Sequence, residues 1–336
     1  MGYVTIREVA RQAGVSTTTV SQVLHDKGRF SPETKKQVCQ AAKDLGYIPD
    51  LRAQAMRSSK TKMIGLLVPD LRNPYFADLV SSMEAMLYEM GVGALIGSSD
   101  EQLDRQDDFI MRILGQRIDG VIAVPQGTVS QGLQTIIERE LPLIFVDRRV
   151  PGMDTVPYVV SDPRPGLRQA LETLKGYGHR KVAYVAHPSL GSFSLDERAE
   201  AFSSLAPDYF ESDGIRVFSC DESLQSHKDV LGSLQSFGAT AVIFGYSPDA
   251  ISCISLLRGY NVQIGHDCSL ISFDDIEVFR LITPQISIIS QQVEQIGRKG
   301  VKMLLDTIET GQKGQTDPVS IATVFEQRGS VSKCRE

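Results

Sequence analysis

Thr5-Ile6-Arg7-Glu8-Val9-Ala10-Arg11-Gln12-Ala13-Gly14-Val15-Ser16-Thr17-Thr18-Thr19-Val20-Ser21-Gln22-Val23-Leu24 reads as two short helices and the turn between them. Thr5 and Glu8 have the spacing of a capping box, which starts a helix at Ile6. Ile6, Val9, Ala10 and Ala13 then share one apolar face, and Gly14 ends the run. Ser16 caps a second helix whose buried face is Val20, Val23 and Leu24. Its outward positions, Thr17, Thr18, Ser21, Gln22 and His25, are nearly all small hydrogen-bonding side chains. A merely solvated face more often carries long charged ones. Short hydroxyls let a helix lie deep in a major groove and reach base edges and phosphates. The stretch predicts a helix-turn-helix.

Working outward, Ser31-Pro32-Glu33 opens a third helix with a cap, a proline at the first position and an acid in the first turn. Its apolar stripe is Val38, Ala41, Ala42 and Leu45; Gly46 stops it and Pro49 prevents continuation. The three helices bury one small core, giving a domain over residues 1–49. Asp50 can cap one more helix, residues 51–57, too short to be stable alone in water. It can order when something packs against it, and residues 58–62 follow as a polar, basic linker, so 50–62 reads as hinge and linker. Charge agrees with this division. Residues 1–62 hold eleven Lys/Arg against five acids, a net +6, whereas the remainder holds twenty-four against thirty-six, a net −12. Only the first part is suited to a polyanion.

From Met63 onward short apolar runs alternate with helical periods. Residues 64–68, 120–124, 143–146, 182–185, 241–244, 269–273 and 286–289 are strand-like, and 74–90, 102–115, 162–176 and 291–310 are amphipathic. Near-continuous apolar strands separated by helices imply parallel sheets covered on both faces, an α/β architecture. The strands are too many for one modest sheet. Residues 63–336 therefore read as two lobes, about 63–160 and 161–288, with the C-terminal part crossing back.

Ligands of open α/β sheets bind beyond the carboxyl ends of the strands. There the sequence places Pro69-Asp70-Leu71-Arg72-Asn73-Pro74-Tyr75-Phe76, Asp147-Arg148 and Asp274-Asp275. Carboxylates, a guanidinium fork, an amide and aromatic rings converging on a cleft suit a polyhydroxylated molecule.

The run Val15 to Ser21, Leu45-Gly46-Tyr47-Ile48-Pro49 and the short helix after it resemble the lactose-repressor family of transcription regulators, with a recognition helix like that of its purine branch. The resemblance covers nearly the whole chain. It implies an all-α helix-turn-helix domain joined to a two-lobed, periplasmic-binding-protein-like domain of doubly wound parallel sheets. It implies a homodimer on double-stranded operator DNA, contacted by Thr5, Ser16, Thr17, Thr18, Ser21, Gln22, His25 and Tyr47. Met56, where the family usually has Leu, is the apolar wedge inserted into the minor groove. Asp50 stands where the family usually has Asn or Ser. Asn73-Pro74-Tyr75-Phe76 and Phe145-Val146-Asp147-Arg148 resemble the ribose-type branch, Arg198 matches an effector-clamping arginine, and Phe273-Asp274 and Gln291 match later binding positions. The resemblance thus assigns Asn73, Asp147, Arg148, Arg198, Asp274 and Gln291 to the effector, with Tyr75, Phe76 and Phe273 stacking on it. Gly245-Tyr246-Ser247 departs from the family's usual Asn-Asp, so a contact there is lost or replaced, with Tyr246 the candidate. The expected effector is ribose, another pentose or a nucleoside.

Other classes fit less well. Hydrophobic residues make up 42% and charged residues 23%, the composition of an ordinary globular protein. No apolar run approaches a bilayer span and no signal peptide opens the chain, which places it in the cytoplasm with no membrane partner. Five scattered cysteines fit a reducing compartment. Gly91 to Gly97 has a glycine out of place for a dinucleotide fingerprint, no phosphate-loop or nucleophile-elbow motif occurs, and the five histidines lack metal-ligand spacing. No cofactor, metal or catalysis is expected. The alternatives are a sugar-active enzyme with a regulatory helix-turn-helix and a regulator controlled by another protein. No heptad tail follows residue 325, so a tetramer built that way is not expected.

Overall fold

In the computed structural model residues 4–48, 60–189, 193–257, 259, 262–311 and 317–335 are described. Met56, the expected hinge helix and residues 58–59 of the linker lie outside them. The chain divides into two compact units, Met1–Thr61 and Lys62–Glu336.

The first unit holds α1 (Ile6–Gln12), α2 (Thr17–Leu24) and α3 (Pro32–Leu45). The Glu8 carboxylate accepts from both the backbone N–H and the hydroxyl of Thr5, and these bonds hold it below the ordinary carboxyl range. Ser16 accepts from the Thr19 N–H at 3.1 Å and Ser31 from the Thr34 N–H at 3.2 Å. Gly46 ends α3 at φ 63°, a left-handed conformation that glycine adopts without steric cost. Val9, Ala10, Val20, Val23, Val38, Ala41 and Ala42 form the core of this unit.

The second unit contains two six-stranded sheets. The chain first lays down β1 (Met63–Val68), α4 (Pro74–Glu89), β2 (Gly93–Ser98), α5 (Leu103–Gly115), β3 (Gly120–Ala123), α6 (Gln131–Glu138), β4 (Leu143–Val146) and β5 (Tyr158–Asp162). It crosses to a second lobe with α7 (Arg164–Gly176), β6 (Val182–Ala186), α8 (Phe193–Leu205), β7 (Ile215–Ser219) and α9 (Leu224–Phe237). There β8 (Ala241–Phe244), α10 (Ser247–Leu257), β9 (Ser269–Phe273), α11 (Val278–Leu281) and β10 (Ser287–Ser290) follow. It returns as α12 (Val293–Thr310) and β11 (Val319–Ala322), and crosses once more into β12 (Val324–Glu326). The sheet orders are β11-β5-β4-β3-β1-β2 and β12-β10-β9-β8-β6-β7. Every pairing is parallel except β12 against β10.

Alternation along the strands builds a core on each sheet face. Leu66, Val68, Ile122, Ile144 and Val146 pack under α4 and α12, whereas Leu67, Val121, Ala123 and Phe145 pack under α5 and α6. The second sheet repeats this with Val182, Tyr184, Ile243, Ile271 and Phe273 on one face and Ala183, Val185, Val242 and Phe244 on the other. Helix α12 lies against α4 at Gly297, where a Cβ would overlap Ser82 Oγ. That close approach seats the returning segment on the first lobe. No helix among the described residues is long and apolar enough to cross a membrane.

Candidate functional site

The two sheets carry an aspartate at the same place. β4 and β9 are each third in their sheet, and each is followed by an Asp in left-handed backbone, Asp147 at φ 63° and Asp274 at φ 69°. Each donates its N–H to the neighbouring strand, Asp147 to Val159 at 2.8 Å and Asp274 to Ile289 at 3.1 Å. Short carboxyl side chains tolerate this backbone better than branched ones. The turn lifts both carboxyl groups off the sheets, and both remain buried, 4% and 3% exposed.

On the first lobe Asn73 caps α4, accepting from the Tyr75 N–H at 3.1 Å. The cap fixes the entry of α4, so that the Tyr75 hydroxyl donates to Asp147 at 2.6 Å. Arg148 makes a two-pronged bond to Glu101, 2.8 Å on each arm, and its guanidinium lies 5.4 Å from the Phe76 ring centre. Its Nε is buried with no hydrogen-bond partner among the described residues; the Asp147 carboxylate is 3.9 Å away.

On the second lobe Arg198, in α8, donates to the Gly245 carbonyl at 2.7 Å and lies 4.7 Å over the Phe273 ring. Ser247, at the start of α10, donates to Asp274 at 2.9 Å. Gln291, where the chain recrosses, donates to Asp274 at 2.7 Å and accepts from Ser161 at 2.6 Å. Gly245 has no room for a side chain, because a Cβ would overlap the Tyr184 hydroxyl. The Tyr246 ring is half-buried and tilts against the His187 ring at 4.5 Å.

Charges from both lobes meet at Asp147. Burial pushes its carboxyl above the ordinary range, Arg148, Arg198 and the Tyr75 bond pull it back, and Asp274 opposes them. Burial, then Asp147 and Asp274, push the Tyr75 phenol well above its usual value. Glu101 and Arg148 of the first lobe likewise act on Tyr246 of the second. Thus Tyr75, Asp147, Arg148, Arg198, Tyr246, Asp274 and Gln291 come together. Asn73 spends its side-chain oxygen on the helix cap, and Phe76 and Phe273 each back an arginine.

Glu101, Ser247 and Ser161 complete this network and were not among the expected residues. Glu101 follows a strand end, as Asp147 does, and the same rule applied to residues 93–98 reaches it. Ser247 lies three residues past β8, as Glu101 lies past β2, in the Gly245-Tyr246-Ser247 run where a replaced contact was expected; Ser161, inside β5, carries no comparable signal.

Of the residues expected to meet DNA, Thr5, Ser16, Thr17, Thr18, Gln22 and His25 are exposed, whereas Ser21 and Tyr47 are half-buried. Thr17, Thr18, Ser21 and Gln22 lie on α2 and His25 is its C-cap, while the oxygens of Thr5 and Ser16 take part in helix starts.

Residues 5–50 match the family described as bacterial regulatory proteins, lacI family, and residues 171–331 match a periplasmic binding protein-like domain. The chain is 26% identical to the HTH-type transcriptional regulator KdgR of Bacillus subtilis, with 98% of each chain covered. It is 27% identical to the ribose operon repressor of Halalkalibacterium halodurans, over 91% of this chain and 90% of that one. Among solved structures, that of the lac repressor dimer bound to operator and an anti-inducer superposes with a TM-score of 0.84 at 22% identity, covering 98% of this chain and all of the other.

Proposed function

The chain belongs to the lacI family of bacterial regulatory proteins, and from that membership we propose that it is a cytoplasmic, non-catalytic homodimer governed by a sugar-like effector. It is a DNA-binding transcription regulator, and the reading adds that it acts as a repressor. Two copies of α2 read the two halves of a palindromic operator from the major groove. Thr17, Thr18 and Ser21 supply base readout, and the surplus of Lys/Arg in residues 1–62 supplies salt-dependent affinity. Met56 belongs to the same proposal as the minor-groove wedge. Effector binding at the cluster of Asp147 and Asp274 alters how the lobes meet, and the dimer transmits that change to the DNA-binding ends.

One observation carries the effector assignment. Two buried strand-end aspartates, one from each lobe, lie within electrostatic reach of each other and of two buried arginines, and one of them holds the Tyr75 phenol. Carboxylates accept from hydroxyls, guanidinium and phenol donate to them, and the Arg148 Nε needs an acceptor. The charge balance favours a neutral molecule. Asp147, Asp274 and Glu101 outnumber Arg148 and Arg198, and Glu101 already holds one of those arginines. Ribose, another pentose or a nucleoside has the matching hydroxyls; a phosphorylated sugar adds charge of the wrong sign.

Thermal unfolding of the purified protein against pentoses, hexoses, nucleosides and their phosphorylated counterparts tests this. The expected result is a shift of several degrees with an unphosphorylated compound, lost in Asp147→Ala. A shift only with phosphorylated compounds, or one that survives in Asp147→Ala, overturns the assignment.

A further inference from the structure

A second polar cluster lies in the second lobe, beside the effector cluster and separate from it. Cys220 follows β7, His187 follows β6, His227 sits in the first turn of α9, and Asp249 in the first turn of α10. All four are 2–5% exposed. The Asp249 carboxylate accepts from two imidazoles, His227 Nε2 at 3.0 Å and His187 Nδ1 at 2.8 Å, one on each oxygen. Cys220 Sγ, a His227 ring nitrogen and an Asp249 oxygen all lie within 4.8 Å of one another. Cys220 and Cys253 are both free thiols, so no disulfide accounts for this sulfur.

We propose that Cys220, His227 and Asp249 bind a zinc-class divalent cation, with His187 holding the free oxygen of the carboxylate. The donor set decides the class. A thiolate, an imidazole and a carboxylate suit zinc, whereas calcium and magnesium prefer all-oxygen shells. The spacing is close to what is needed. Bonds of about 2.0–2.3 Å at tetrahedral angles put donors roughly 3.3–3.8 Å apart, so closure takes about an ångström of side-chain adjustment. Three protein donors leave the fourth position to water. On binding, the Cys220 thiol proton leaves to solvent, and His227 changes tautomer, giving up its Nε2 proton to solvent and taking one on Nδ1, so that Nε2 presents a lone pair. The His187–Asp249 bond has the outer-shell geometry that orients a carboxylate ligand. Because the His187 ring also packs on Tyr246, the site adjoins the second-lobe wall of the effector cluster. The three donors are Cys220 after β7, His227 in α9 and Asp249 in α10, which is why spacing along the chain gave no metal signal.

The test uses chelator-treated full-length protein titrated with Co²⁺, which reports thiolate ligation by a near-ultraviolet charge-transfer band. Saturation at one equivalent is expected in the wild type and in a Cys268→Ser/Cys334→Ser variant, with the band lost in Cys220→Ser. His187→Gln should weaken binding about 10–100-fold while keeping the band. X-ray absorption of zinc-loaded wild type should show a single sulfur at about 2.3 Å with nitrogen and oxygen completing the shell. This second measurement decides the matter if Cys220→Ser does not fold. No band in the wild type, or a zinc shell without sulfur, reduces the cluster to a buried hydrogen-bond network and overturns the proposal.

Discussion

Asp147 and Asp274 occupy the same strand-end position in two sheets of the same order, with the same left-handed backbone and the same bond to the next strand. Their partners differ. Asp147 sits among ionic and phenolic groups: Arg148, Arg198 and the Tyr75 hydroxyl. Asp274 is held by two neutral donors, Ser247 and Gln291, with Gln291 tied in turn to Ser161. The fold therefore repeats the turn that presents a carboxyl group, and the side chains around each copy decide what the group can do. Asp147 is buried at a cost its neighbours only partly offset, whereas Asp274 accepts from two neutral side chains. On the proposed reading Asp147 makes the stronger bond to the effector, and Asp274 is braced by the frame around it.

The largest effect should come from Asp147→Asn. Each hydrogen bond from a ligand hydroxyl to an ionised group contributes about 1.5–3 kcal/mol, so effector affinity should fall about 10–100-fold by calorimetry. The free protein should unfold at no lower urea concentration than the wild type. The new amide oxygen still accepts from Tyr75, Arg148 keeps Glu101 and Arg198 keeps the Gly245 carbonyl. A large loss of stability would mean that Asp147 serves the fold first. Asp274→Asn should do less. Its amide can accept from Ser247 and donate to Gln291, provided that Gln291 turns over and donates to Ser161, whose hydroxyl can accept. That rearrangement has no counterpart at Asp147, because arginines only donate. Affinity and stability should each change by about 1 kcal/mol or less, roughly fivefold in affinity. A larger effect at Asp274 than at Asp147 would reverse the comparison.

How far the sequence foretells this site follows from where each signal resides. The first unit was legible because Thr5, Gly14, Ser16, Ser31, Pro32 and Gly46 act within one turn of the helix ends they set. Strands β1, β3, β4, β6, β8, β9 and β10 were legible because most are buried on both faces and run apolar. The half-buried β2, residues 93–98, has two glycines and no fully buried side chain to mark it, and Glu101 lies beyond its end. β5, β7, β11 and β12 went unread: they lie at or next to sheet edges, and residues such as Arg216 and Ser320 interrupt their apolar pattern. Helices α6, α8, α9 and α10 are short or serine-rich, which blurs their apolar stripe. Asp147, Arg148 and Asp274 followed from the strand-end rule. Arg198 projects from a helix that no strand end marks, so resemblance alone pointed to it.

The smallest expected effect, and the most direct reading of the difference, is pH dependence. Burial raises the Asp147 carboxyl above its ordinary value in the folded protein, against the pull of Arg148, Arg198 and Tyr75. Between the ordinary value and the raised one, the folded chain holds a proton that the unfolded chain has already lost. The slope of stability with pH follows the protons bound unfolded minus those bound folded. That difference is negative here, so this group's contribution is full below the ordinary carboxyl value and is lost as pH rises through the raised one. Other carboxyls titrate nearby, among them Asp275, which burial pushes up but its bonds to Arg328 and Arg280 carry below the ordinary range. The quantity to measure is therefore the difference between the wild type and Asp147→Asn in urea unfolding across the acidic range. The wild type should lose ground to the variant as pH rises through that window. A wild type that gains on Asp147→Asn with rising pH would show that the arginines outweigh burial, and that Asp147 is a structural counter-ion.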